Sequence, residues 1–168
     1  MSKVNFFYFE DDGVIPNNPN LPVLFYPAAL EGKAAQAEEI FNQNNWGNSW
    51  VNGIFDFHHY HSNSHEALAI VKGTATVRIG GDKGMELQLS EGDVVVLPAG
   101  TGHKRIDSSP DFKVAGAYPD GMEYNTKTAH GEDRLLALDD IKQVPLPDHD
   151  PIYGTEGPLL NYWKKNES

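Results

Sequence analysis

Cysteine is absent from this chain of 168 residues. Disulfides, thiolate metal ligands and a cysteine nucleophile are excluded with it, so any metal is held by nitrogen and oxygen alone. Zinc ribbons and iron–sulfur centres drop out for the same reason. Long apolar runs are missing too, and mean hydropathy is -0.49, which argues against a membrane span. Positive charge is scarce: 13 Lys and Arg stand against 24 Asp and Glu, for a net charge of -11. No Lys/Arg cluster relieves it, so nucleic acid and anionic membrane are unsuited as partners and a small molecule is expected. The acids are scattered rather than blocked, which reads as solubility rather than steering of cationic ligands. The start, Met1 to Asp12, carries one lysine, the short patch Phe6-Phe-Tyr-Phe9 and then acids. It lacks the apolar core of a secretory signal, and a cytoplasmic location is the expectation.

Hydrophobic residues make up 39% and charged residues 22%, ordinary proportions for a chain with one sizeable core. A single domain is expected over 1–168, with its body at about 51–120, N-terminal strands and a helix in 1–50, and an extension over 121–168. Alternation predicts strands at Phe6–Glu10 and Val23–Tyr26, both as edge elements. In the body it predicts them at Ile54–His61, Ala67–Lys72, Thr74–Ile79, Met85–Leu89, Val94–Leu97, Lys104–Ile106 and Phe112–Tyr118. Glu31–Gln43 has strong helix formers with Ala34, Ala37, Ile40 and Phe41 on one stripe. Asn44–Trp50 reads as the breaker that ends it, Asp133–Ile141 as a short helix, and Pro145–Pro151 as an extended tail. Short strands separated by regular turn signals indicate a sandwich or barrel.

Chemistry concentrates where histidines do. Four of the seven fall within Gly53–Gly73: His58, His59, His61 and His65. In a strand, side chains two apart share a face, so His59 and His61 can converge on one ion. The same parity sends Phe55 and Phe57 inward and Asp56, His58 and Tyr60 outward. Glu66 follows a short polar loop, and a hairpin would carry its carboxylate back beside the pair. A fourth ligand comes from the second half, where Gly92–Leu97, a Pro-Ala-Gly turn and His103 follow one another. Imidazole and carboxylate are what borderline and hard divalent ions take. His58 and His65 read as non-ligands, on the outward parity and in the loop, with His65 the substitute if Glu66 turns away. His130 and His149 have no convergent partners and read as solvated.

These residues resemble the two motifs of the cupin superfamily. Gly53, His59, His61, Glu66 and Gly73 match G(X)5HXH(X)4E(X)6G. Gly92, Pro98, Gly100 and His103 match G(X)5PXG(X)2H(X)3N up to its last position, where Asp107 stands. Asp11–Pro19, Asn44–Trp50 and Leu97–Lys104 are in addition similar to YjlB-like cupins, over most of the chain. The resemblance implies a mainly β fold, a double-stranded β-helix or jelly-roll barrel of RmlC-like type, here with an N-terminal and a short C-terminal helix. It further implies one metal near the barrel mouth, held by His59, His61, Glu66 and His103, and pairing into a homodimer through N-terminal strands. The physiological reaction is not established for such proteins.

Three neutral imidazoles and a carboxylate leave one or two positions open on a divalent ion. Iron, manganese, nickel and zinc all suit the set. Arg105 shares the parity of His103 and has two readings: a clamp on a substrate carboxylate, or, preferred, a partner of Asp107 or another surface acid. Tyr118 is either core or a substrate contact, and Phe57 is a further candidate substrate contact. Trp46 and Trp50 either roof the pocket or pack beneath the helix. Two functions follow: a mononuclear metal-dependent enzyme of dioxygenase or isomerase type acting on a small polar molecule, or a cupin that binds or senses a small molecule without turnover, its metal structural or gripping an anion. A pocket lined only by apolar side chains would favour the second.

Overall fold

The computed structural model describes residues 3–129 and 134–164. In chain order come β1 (Asn5–Phe7), β2 (Val23–Tyr26), and a 3-10 turn at Ala34–Gln36 running into α1 (Ala37–Gln43). Then follow β3 (Trp46–Asn52), β4 (His59–Tyr60), β5 (Glu66–Lys72), β6 (Thr74–Ile79), β7 (Met85–Ser90) and β8 (Val94–Leu97). The chain continues through β9 (His103–Ser108), β10 (Lys113–Pro119), β11 (Lys127–Thr128), α2 (Arg134–Gln143) and α3 (Leu159–Tyr162). Two antiparallel sheets result, one ordered β1-β2-β8-β5-β10-β3 and the other β11-β4-β9-β6-β7. The fold is mainly β, as the resemblance implies.

Alternation along β5 and β8 sets the layers. Leu68, Ile70, Val95 and Leu97 meet Val77, Ile79, Leu87 and Leu89 of the other sheet. Ala67, Ala69, Val94 and Val96 face the opposite way, under Phe41 of α1, Trp46 and Leu159 of α3. Both faces are covered, which is why these segments read as unbroken apolar runs rather than alternating ones. The tight turn between β5 and β6 is made by Gly73 at φ +79, where an added Cβ would lie 2.4 Å from Ser109 Oγ. Only glycine adopts that conformation without strain.

Several expected boundaries move. The strand expected over Ile54–His61 shrinks to His59–Tyr60. Phe55 and Phe57 are 54% and 44% exposed instead of facing the core, and Tyr60 is buried against Ile15 and Ala137. Of Asn44–Trp50, expected as a breaker, Asn44 and Asn45 do end the helix in a turn, but Trp46–Trp50 opens β3. Asn45 and Asn48 take φ of +62 and +52, a conformation asparagine tolerates better than most residues. β1 spans Asn5–Phe7 rather than Phe6–Glu10 and is an open edge, whereas β2 is covered between β1 and β8. The N-terminal helix starts as a 3-10 turn at Ala34, later than expected. α2 covers Arg134–Gln143, and the expected start at Asp133 lies outside the described residues. Strands β1, β2 and β11, all outside 51–120, extend both sheets beyond the expected body. No helix among the described residues is long and apolar enough to cross a membrane.

Candidate metal centre

His59 on β4 and His103 at the start of β9 are direct cross-strand partners in one sheet. Glu66 begins β5 in the other sheet, opposite Leu97. The expected hairpin is therefore a crossover: residues 61–65 pass from one sheet to the other and bring His61 between them. Such a passage buries backbone and polar side chains, which need partners. The Ser62 N–H donates to Asn125 Oδ1 at 2.9 Å, and Asn125 Nδ2 donates back to Ser62 Oγ at 2.8 Å. His65, fully buried, accepts the Ala99 N–H on Nδ1 at 2.9 Å, so its other nitrogen donates, to Pro145 O at 3.2 Å. That pair of bonds fixes a neutral tautomer, and burial pushes the His65 pKa from 6.5 down to about 4. His65 is a strut of the crossover and not a ligand.

Donor atoms of His61, Glu66 and His103 lie within 4.8 Å of one another, all three side chains buried. This His-Glu-His group is able to hold a metal, and the hydrogens around it sharpen the point. Nδ1 of His61 faces Asn125 O at 2.5 Å and Nδ1 of His103 faces Thr101 O at 3.1 Å. A carbonyl oxygen only accepts, so each Nδ1 carries a hydrogen, and a ring with no second proton turns a lone pair on Nε2 toward the centre. Those Nε2 atoms stand 3.2 and 3.3 Å from Glu66 Oε1, an oxygen buried without a hydrogen-bond partner. Three acceptors thus converge where a cation is needed, whether a proton shared between His61 and Glu66 or a divalent ion. Burial opposes charge on both residues, yet the Glu66 carboxylate raises the His61 pKa, and His61 and His103 hold that of Glu66 well below the usual carboxylate range.

His59 stands outside this trio. Its ring centroid is 4.0 Å from that of His103 and 6.1 Å from that of His61, and its Nδ1 donates to Phe57 O at 3.0 Å. Burial, with His103 beside it, drops its pKa to about 3. The ring is neutral at physiological pH, as a ligand must be.

The other oxygen of Glu66 is held. Tyr118 donates its hydroxyl hydrogen to Oε2 at 2.6 Å and accepts the Trp50 indole N–H at 2.8 Å. Burial, reinforced by Glu66, raises the phenol pKa above its ordinary value, so Tyr118 stays protonated. Trp50 reaches it because β3 carries a bulge: Gly116 pairs with Trp50 and Tyr118 with Gly47, so β3 has one residue more than β10 between the two pairs. One extra residue reverses the facing of what precedes it. Trp46 accordingly packs with α1 in the outer core while Trp50 turns inward. Each tryptophan takes one of its two expected places. Gly116 makes the room, since a Cβ there would lie 2.3 Å from the Trp50 ring.

Above the trio opens a cavity of about 460 Å³, lined by His59, His61, Glu66, His103 and Tyr118 together with Trp50, Asn52, Gly53, Ile54, Phe55, Leu68, Tyr124 and Thr126. Phe57 stacks on Phe55 at 4.9 Å but does not line it. Arg105 turns its Nε to Ile54 O at 3.1 Å and lines it no more than Phe57 does. That guanidinium is paired with neither Asp107 nor another acid among the described residues. His58 pairs with Asp82 at 2.7 Å and His149 with Asp148 at 2.6 Å, while His130 lies outside the described residues. Tyr124, stacked on Tyr118 at 4.1 Å, was not signalled by the sequence, because it lies past the strands in a segment without periodic pattern.

The model of the cupin domain matches residues 51–110, the segment that supplies the trio. The uncharacterized protein YjlB of Bacillus subtilis (strain 168) is 46% identical over 159 residues, covering 95% of this chain and 96% of its own. The chain belongs to the cupin superfamily. This cupin, YjlB-like along nearly its full length, is also similar to solved structures at lower identity. One is the dTDP-6-deoxy-D-glucose-3,5-epimerase RmlC from Legionella pneumophila Philadelphia 1 in complex with dTDP-4-keto-L-rhamnose. It is 15% identical, with 82% of this chain and 83% of that one covered and a TM-score of 0.42. Another is the acireductone dioxygenase from Bacillus anthracis with a cadmium ion in its active centre, 18% identical, with 72% and 80% covered and a TM-score of 0.39.

Proposed function

We propose that this cupin is a mononuclear metal-dependent enzyme, of dioxygenase or isomerase type, acting on a small molecule that reaches the metal through oxygen. The observation that carries the reading is the convergence of His61 Nε2, His103 Nε2 and the unpartnered Glu66 Oε1 beneath a cavity of about 460 Å³. His61, Glu66 and His103 would hold one divalent ion, iron, manganese, nickel or zinc, with His59 as the fourth ligand. Such an ion supplies Lewis acidity or, as iron, oxygen activation. The residues around it orient the site. Carbonyls fix the imidazole tautomers, Tyr118 fixes the carboxylate, and Leu68 and Ile54 keep part of the wall dry. The open β1 edge, with Phe6 exposed, supports pairing into a homodimer.

Gripping a small molecule without turnover is the second reading, and one observation favours it: the Tyr118 hydrogen is committed to Glu66 and is not free to act as an acid. Protein loaded separately with each of the four metals, incubated with sugars, keto acids and phenols and followed by mass spectrometry, separates the two. Product that disappears in Glu66→Gln supports the enzyme. Retained binding with no product for any metal supports the binder.

A further inference from the structure

The walls of the cavity carry a preference that the trio alone does not. Among the described residues that line it, none is Lys or Arg, and Glu66 is the only Asp or Glu. Arg105, the guanidinium that sequence parity offered, is tied to Ile54 O. What the walls do offer is aromatic surface: Trp50, Phe55 and Tyr124, the last stacked on the fully buried Tyr118. The Trp50 N–H is already given to Tyr118, and the Tyr118 hydroxyl hydrogen to Glu66. Phe55, 54% exposed, and Tyr124, 38% exposed, stand where solvent enters. Leu68 and Ile54 add apolar surface, and Asn52 and Thr126 add uncharged polar groups.

We infer that the cavity selects uncharged, ring-bearing molecules that present oxygen to the metal, and rejects those carrying a second anionic group away from it. The inference rests on the metal-site reading above. The ion is the one positive charge available to a guest, and a carboxylate at the far end of a ligand would lie against aromatic faces with no cation to meet it. The net charge of -11 adds repulsion at longer range. A flat ring, by contrast, stacks on faces already in place and needs no polar partner.

Three chelators with one metal-binding head test this: acetohydroxamate without a ring, benzohydroxamate with one, and 4-carboxybenzohydroxamate with a ring and a remote anion. Each is titrated into cobalt-loaded protein, whose visible absorption reports entry of a ligand to the metal. Benzohydroxamate is expected to bind at least about tenfold tighter than the other two. Phe55→Ala, a change at an exposed side chain, narrows the gap between benzohydroxamate and acetohydroxamate. Equal or tighter binding of the carboxylated compound, or no gain from the ring, overturns the inference while leaving the metal site standing. Absence of any cobalt spectrum, or one unchanged in His61→Ala and His103→Ala, overturns the metal reading and the inference together.

Discussion

Tyr118 hands its hydroxyl hydrogen to one oxygen of Glu66 across 2.6 Å, and the other oxygen is thereby aimed at His61 and His103. Removing the hydroxyl in Tyr118→Phe keeps the ring packing but releases the carboxylate. Metal affinity is expected to fall about 10–100-fold, with stability reduced by only about 1 kcal/mol. Competition with a fluorescent chelator reads the first and urea unfolding of chelated protein the second. Unchanged affinity would remove Tyr118 from the site.

The four candidate ligands are not expected to count equally. His61→Ala, His103→Ala and Glu66→Gln each remove a member of the trio and should lower affinity more than about 100-fold, beyond what loss of a supporting residue costs. His59→Ala removes a ring outside the trio and should cost roughly tenfold. Elemental analysis of untagged protein purified without added metal checks the order. Equal metal content in the wild type and all four variants would sink the site.

Gly116 is predicted to be intolerant of any side chain, although it lies in a regular strand. A Cβ at this position would lie 2.3 Å from the Trp50 ring, so Gly116→Ala displaces the indole and with it the bond to Tyr118. A loss of about 1–3 kcal/mol is expected, together with a shift in tryptophan fluorescence. Because the two residues touch, Gly116→Ala combined with Trp50→Leu should cost less than the sum of the single changes, by about 1 kcal/mol. Strict additivity would show that the clash is relieved elsewhere.

His65 makes the fold acid-sensitive. Its pKa is about 4 when folded against 6.5 ordinarily, so the unfolded chain takes up a proton that the folded chain refuses. The stability this group contributes is complete above about pH 6.5, declines by about 1.4 kcal/mol per unit as pH falls, and is gone near pH 4. Urea midpoints measured across that range in the presence of chelator should fall less steeply for His65→Gln than for the wild type. Parallel slopes would assign the acid sensitivity to other groups.

Much of the site was legible because spacing survives changes in the surrounding structure. His61, Glu66 and His103 were read from motif positions and strand parity, and they come together even though the hairpin expected to join them is a crossover between sheets. β6 and β8 were placed at their observed bounds, since β-branched runs with clear turns admit few alternatives. Trp46–Trp50 was misread because asparagine marks turns as readily as it supplies a positive φ inside an irregular strand. Ile54–His58 was misread because Phe-Asp-Phe alternates like a strand while its ties to β9 come from Arg105, whose backbone N–H bonds to Phe55 O and whose Nε bonds to Ile54 O. Tyr118 is fully buried, which fits its reading as core, and its hydroxyl meets Glu66, a partner that its position in the sequence did not name. Nothing in the sequence separated Trp46 from Trp50, because the bulge that parts them depends on pairing with β10 and leaves no local sign.

The crossover of residues 61–65 gives the centre a mechanical side. His59 and His103 belong to one sheet, Glu66 to the other, and His61 to the strap between them. An ion gripped there would be a rivet through both layers, and its binding to the folded form would raise the resistance of the whole to unfolding. Metal supply would then govern how long each molecule lasts as well as what it can do.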